Sequence, residues 1–221
     1  MKKLLCVIFI FTCGAIACEQ APKADKARIT EAQTVKAGTG NAYLPDTTAS
    51  VVQWIGTKPT GKHHGALRLS GGALYIKDSV ITGGQFIINM HSLHDLDLVA
   101  DTTMKRKLEN ELKGEMFFDV KKYPVATFEI TSVAPFHPAV GDELTLKNAT
   151  HIIKGNLTLK AVTKNISFPA RITFNDNSIN AVASFNIDRT QWGISYRADN
   201  SLQDKLSNSQ VNISFDVKAS R

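Results

Sequence analysis

Val211-Asn212-Ile213-Ser214-Phe215-Asp216-Val217-Lys218 alternates apolar with polar or charged residues along its whole length. Successive side chains of a strand point to opposite faces, so the stretch predicts a strand with one dry and one wet face. The pattern recurs upstream. Ile166, Phe168, Ala170, Ile172 and Phe174 alternate with Asn165, Ser167, Arg171 and Thr173. Ile179, Ala181, Ala183, Phe185 and Ile187 alternate with Asn180, Ser184 and Asn186. Between these two runs, Asn175-Asp176-Asn177-Ser178 carries the side chains that favour a turn.

Working toward the N-terminus, Val52 with Trp54, Leu67 with Leu69, Leu74 with Ile76, and Phe86, Ile88 and Met90 read as further inward sets. Ala126, Phe128 and Ile130, then Ile153, Leu157 and Leu159, complete the series, while Gly71, Gly72, Gly83 and Gly84 fall where bulges or turns are needed. About eight strands result. A barrel and a sandwich give the same alternation, so the period alone does not choose between them. Helical spacing occurs once, where Met104, Leu108 and Leu112 recur among charged neighbours. This predicts a short amphipathic helix whose stripe must cover something, an open barrel end being a suitable surface.

The N-terminus is different in kind. Lys2 and Lys3 precede an apolar run from Leu4 to Phe11, the order of an export signal. Ala15-Ile16-Ala17-Cys18 resembles a bacterial lipobox, with Ala15 in place of the usual leucine. The resemblance implies removal of residues 1–17, lipid attachment at Cys18 and membrane anchoring in a bacterial cell envelope, facing the periplasm or the cell surface. An ordinary cleaved signal with Cys18 as a bystander is the alternative, and both export the domain. Residues 18–40 hold almost no large apolar side chains and read as a flexible tether; residues 41–221 form the domain. Cys6, Cys13 and Cys18 all precede it, so no disulfide, zinc thiolate or catalytic thiol supports the fold. The net charge of +6 falls to about +4 without Lys2 and Lys3, and no basic stripe suggests nucleic acid.

Several segments are more specific than periodicity. Trp54, Gly61-Lys62-His63-His64-Gly65 and Gly71-Gly72 are followed by Phe86, Asn89, Met90, Ser92 and Leu93. Leu112, Phe117-Phe118-Asp119-Val120, Tyr123-Pro124 and Ala126-Thr127-Phe128 form the most diagnostic block. Gly155-Asn156-Leu157-Thr158-Leu159, Thr163-Lys164, then Phe185, Ile187, Arg189, Trp192, Gly193 and Ile194 continue it. From about residue 43 to the C-terminus the chain resembles the YceI-like family. It departs in having Ala161 where a glycine is usual and extra residues around 135–148. The resemblance implies an all-β, eight-stranded antiparallel, lipocalin-like barrel that holds a polyisoprenoid or other long amphiphile, often as a homodimer.

An eight-stranded barrel has just enough interior to be filled by side chains or to hold one small ligand. The expected lipid-binding residues are Trp54, Phe86, Ile88, Met90, Phe128, Phe168, Phe174, Phe185 and Trp192, with His64 near the mouth; plain core is the alternative for each aromatic. His64 would donate to a head group such as a quinone carbonyl, or else make a turn hydrogen bond. Asp188 and Arg189 at a strand end suit a structural pairing better than a head-group contact. His63, His64, His91 and His94 near Asp95 and Asp97 are metal-capable types, but His91 falls on the outward phase with Ile87 and Asn89, and no metal is assigned. The hydrolase elbow, the paired-histidine metalloprotease helix and the phosphate-binding loop are all missing, so no catalytic residue and no cofactor beyond a bound lipid is expected. The sequons at Asn148, Asn156, Asn165 and Asn212 read as outward strand or turn residues. A packed barrel serving envelope stress or protein interaction is the competing reading, and a filled interior would favour it.

Overall fold

The computed structural model describes residues 21–58, 61–136, 146–198 and 208–221. Eight strands close an antiparallel barrel: β4 (Val51–Lys58), β5 (Gly61–Lys77), β6 (Val80–Asp95), β7 (Val125–Pro135), β8 (His151–Leu159), β9 (Val162–Asn175), β10 (Ser178–Asp188) and β11 (Gln210–Ser220). Closure occurs where β11 pairs with β4, setting Ile213 opposite Trp54 and Phe215 opposite Val52. The residues expected to face inward do so. Leu69, Ile130, Phe168, Ile172, Phe185 and Val217 are buried on the inner face, while Arg68, Arg171 and Lys218 are exposed.

Two expected segments, around Leu67 and around Leu74, are one 17-residue strand. The glycines between them serve as bulges rather than as a break. The ladder with β6 slips between Leu69 and Gly71, and a Cβ on Gly72, at φ +138°, would lie 2.2 Å from the Gln85 carbonyl oxygen. The β5–β6 hairpin turns at Asp78 and Ser79, both at positive φ (51° and 60°), the handedness that matches strand twist. At the β8–β9 turn the positive φ falls on Lys160, so Ala161 is accommodated without a glycine.

The helix α1 spans Thr102–Lys113. Asp101 caps it, its Oδ1 accepting from the Thr103 and Met104 amides at 3.1 and 2.9 Å. Glu109 Oε1 accepts from the Asp95 amide (2.9 Å), and Glu111 pairs with Arg197 (2.7 Å), fixing the helix across one end of the barrel.

The segment before the barrel differs from the free tether expected over residues 18–40. Its described part, from Ala21, is laid against the barrel wall. Strand β1 (Asp25–Lys26) pairs in parallel with β10 at Phe185 and Asn186; β2 (Arg28–Glu31) pairs antiparallel with β9 from Ser167 to Lys164. The two fill the space where β9 and β10 separate beyond Arg171 and Val182. Onward, Gln33 exchanges two hydrogen bonds with the Asn156 side chain (3.0 and 2.7 Å), and Thr39 exchanges two with Thr82 Oγ1 (2.9 and 2.7 Å). Strand β3 (Asn41–Pro45) then joins β5 and β11. Composition hid this because the strap is held by backbone hydrogen bonds and by asparagines far away in sequence, with only Ala27 and Ile29 packing on the core. Asn156, Asn165 and Asn212 do face outward as expected, yet each is buried: the first two lie beneath the strap, and Asn212 bonds Asn186, whose amide donates to the Pro22 carbonyl (2.9 Å). Residues 1–20, and with them the signal segment and Cys18, lie outside the described residues.

Candidate functional site

The barrel is hollow. Its deeper chamber, about 110 Å³, is walled only by carbon side chains, among them Phe86, Phe128, Phe168, Phe185 and Phe215. A larger chamber of about 390 Å³ lies toward the helix-covered end, within the size range of ligand pockets. Val52, Ile88, Leu157 and Ile213 border both, so the two are successive compartments of one interior. The floor closes on Leu74, Ile81, Ile172, Ile179 and Ala219.

The upper chamber explains the helix and the segment after it. Met104, Leu108 and Leu112 turn their stripe onto it, and Phe117 and Phe118 complete the roof. This segment is the diagnostic block singled out in the sequence. Its packing reaches the far end of the sequence: Phe117 stacks edge-on against Tyr196 (5.4 Å between centroids) and sits under the Arg189 guanidinium.

Polar groups gather at the rim: Thr57, Lys58, His63, Lys107, Glu111, Arg189 and Arg197. Arg189 is buried and donates to the carbonyls of Asn208, Ile194 and Tyr196, and Asp188 caps the following turn by accepting from Thr190, so both have the structural roles expected of them. Burial draws the Arg189 guanidinium below its ordinary value, opposed by Asp188. Trp54 Nε1 is buried in this chamber's wall and has no hydrogen-bond partner, which costs about 1–3 kcal/mol unless a ligand or water accepts from it.

Trp54, Phe86, Ile88, Met90, Phe128, Phe168 and Phe185 line the cavity as expected. Three expected residues do not. His64 faces away from it, its side chain 46% exposed and 3.5 Å from Asp97, and it is His63 that reaches the rim. Phe174, near the far end of β9, packs against the core and edge-on with His151 but borders neither chamber. Trp192 is buried in the 3₁₀ turn Arg189–Trp192 and donates to the Leu157 carbonyl (2.9 Å), serving the core. Adjacent histidines on a strand differ only in phase, and counting back by two from the inward Leu69 and Leu67 through Gly65 gives His63, a phase that the unbroken β4–β5 register preserves. His91 is exposed on the outward face, as expected.

The YceI-like domain model matches residues 43–219, nearly the whole barrel. The chain belongs to the YceI-like family. Solved structures share the fold, among them the following two. BcnA from Burkholderia cenocepacia is 20% identical, with a TM-score of 0.61, and the match covers 80% of this chain and 99% of that one. A polyisoprenoid binding domain from Saccharophagus degradans implicated in plant cell wall breakdown is 15% identical, with a TM-score of 0.58, covering 80% and 97%. No curated protein matches in sequence. In this YceI-like protein the strap over residues 21–40 lies wholly before the family region, which begins at residue 43 within β3.

Proposed function

We propose that this YceI-like protein binds one long apolar lipid, a polyisoprenoid, an isoprenoid quinone or a similar amphiphile, inside its barrel, for sequestration or transport in the bacterial envelope rather than for catalysis. The observation that carries this is the carbon-walled deep chamber beneath a chamber with a polar rim, a shape matched to a tail and a head. Each buried CH₂ contributes about 0.8 kcal/mol, so the tail needs no hydrogen bond and its recognition is loose. The Trp54 indole N–H supplies the donor for a head-group oxygen, the role the sequence suggested for His64. The polyisoprenoid-binding description of the Saccharophagus degradans domain supports this ligand class. The hollow interior weighs against the packed-barrel reading.

Export and a lipid anchor at Cys18 belong to the same proposal. Pro22 is held by Asn186, one residue from the rim-side wall residue Ile187. Four residues extend at most about 14 Å, so an anchor at Cys18 keeps the cavity mouth beside the membrane.

Native mass spectrometry of the detergent-free protein, followed by organic extraction, tests the reading. A stoichiometric isoprenoid or long-chain amphiphile supports it, and the same spectrum reports whether the protein is the homodimer the family resemblance implies. An empty barrel that also refuses offered quinones would overturn it.

A further inference from the structure

The end of the β5–β6 ladder brings three ligand-type side chains together. Gly65 pairs with Asp95, and continuing that register sets His63 opposite Asp97. Positions two apart on a strand share a face, so His63, Asp95 and Asp97 converge. One ligating atom from each lies within 4.8 Å of the other two. His63 Nδ1 is 2.8 Å from Asp97 Oδ2, and Asp97 Oδ1 accepts from the His64 amide at 2.7 Å.

Asp95 is what makes this more than an acidic cluster. It is 0% exposed, its Oδ1 accepts from the Leu98 amide (2.7 Å), and its Oδ2 accepts from nothing. Among the described residues no lysine or arginine ion-pairs with either carboxylate. A fully buried carboxyl group beside a second carboxylate, with one oxygen unmatched, needs either a proton or a cation between the two.

We infer that His63, Asp95 and Asp97 form a binding site for one divalent transition-metal ion of the zinc class at the edge of the cavity mouth. One imidazole and two carboxylates are ligand types zinc accepts, and two carboxylates balance the ion's charge. Three protein ligands leave a fourth position for water or another oxygen ligand. Because His63 also lines the rim, the ion would lie where a head group enters. His91 and His94 take no part: His91 is exposed, and His94 Nδ1 is 2.9 Å from the Ser92 carbonyl.

The test is calorimetric titration of the chelator-stripped full chain with zinc chloride, its three cysteines alkylated. One ion per chain is expected, bound at least tenfold more weakly by His63→Gln and by Asp97→Asn, and unchanged in His91→Gln. His63 and Asp97 are partly exposed, so these variants keep the fold, which circular dichroism checks; Asp95→Asn, wholly buried, serves only as a supporting variant. Absence of stoichiometric zinc uptake, leaving a proton or water as the partner of Asp95, overturns the site. So does uptake that survives both His63→Gln and Asp97→Asn. The readout needs no lipid, so its failure is separate from failure of the lipid-binding proposal.

Discussion

Phe168 and Phe185 stack with ring centroids 4.1 Å apart and planes 15° from parallel, although their strands do not pair at that level. The β9–β10 register, continued past Arg171 and Val182, sets these two residues opposite one another. Their rings close the barrel from inside while β1 and β2 take up the separated backbones from outside. Phe128 and Phe215 lean on the same pair at 5.9 and 5.8 Å from Phe168, so four aromatics shape the deep chamber.

That chamber's depth should set tail-length preference. A Cβ on Gly155 would lie 2.3 Å from the Phe128 ring, so Gly155→Ala drives the ring inward. Overpacking costs about 1–3 kcal/mol of stability. Longer isoprenoid tails should lose affinity severalfold while shorter ones keep theirs, as measured by competition with a homologous quinone series. Equal losses across the series would show that the deep chamber receives no tail.

Trp54→Phe keeps an aromatic wall and removes the unmatched donor. Stability should hold within about 1 kcal/mol or rise, since no hydrogen bond is lost. Affinity for carbonyl-bearing lipids should fall about tenfold, the equivalent of roughly 1.4 kcal/mol, with hydrocarbon binding unaltered. Equal binding of both classes by the variant would remove Trp54 from head-group recognition.

The strap should be a cooperative part of the fold. Asn156→Ala strips two hydrogen bonds from the Gln33 backbone and the acceptor from the Asn165 amide, for a cost of about 1–3 kcal/mol in denaturant unfolding. Hydrogen exchange at residues 28–33 should be slow in the wild type and accelerate in the variant. Fast exchange there in the wild type would show that the strap is not held in solution.

His151 predicts an acid-side loss of stability. Burial pulls its imidazole below the ordinary 6.5, so the unfolded chain takes up a proton more readily than the folded one. Its contribution is complete above that ordinary value and is lost as pH falls through the lower folded value. Melting temperature should therefore drop between about pH 7 and about pH 5, and drop less in His151→Gln. An identical pH profile in the variant would assign the loss to other groups.

Alternation by itself determined which residues face inward on the barrel strands, because a period of two leaves no choice of face once one side must stay dry. The spacing of Met104, Leu108 and Leu112 likewise determined the helix and its need for a surface to cover. Only the tertiary structure decided what depends on distant partners. The strap is held by Asn156, 123 positions from Gln33, and no local propensity records such a bond. Asp95 met His63 through the ladder of a long hairpin. The cavity is the volume left after every inward side chain is placed, so it belongs to the packed assembly and to no single residue.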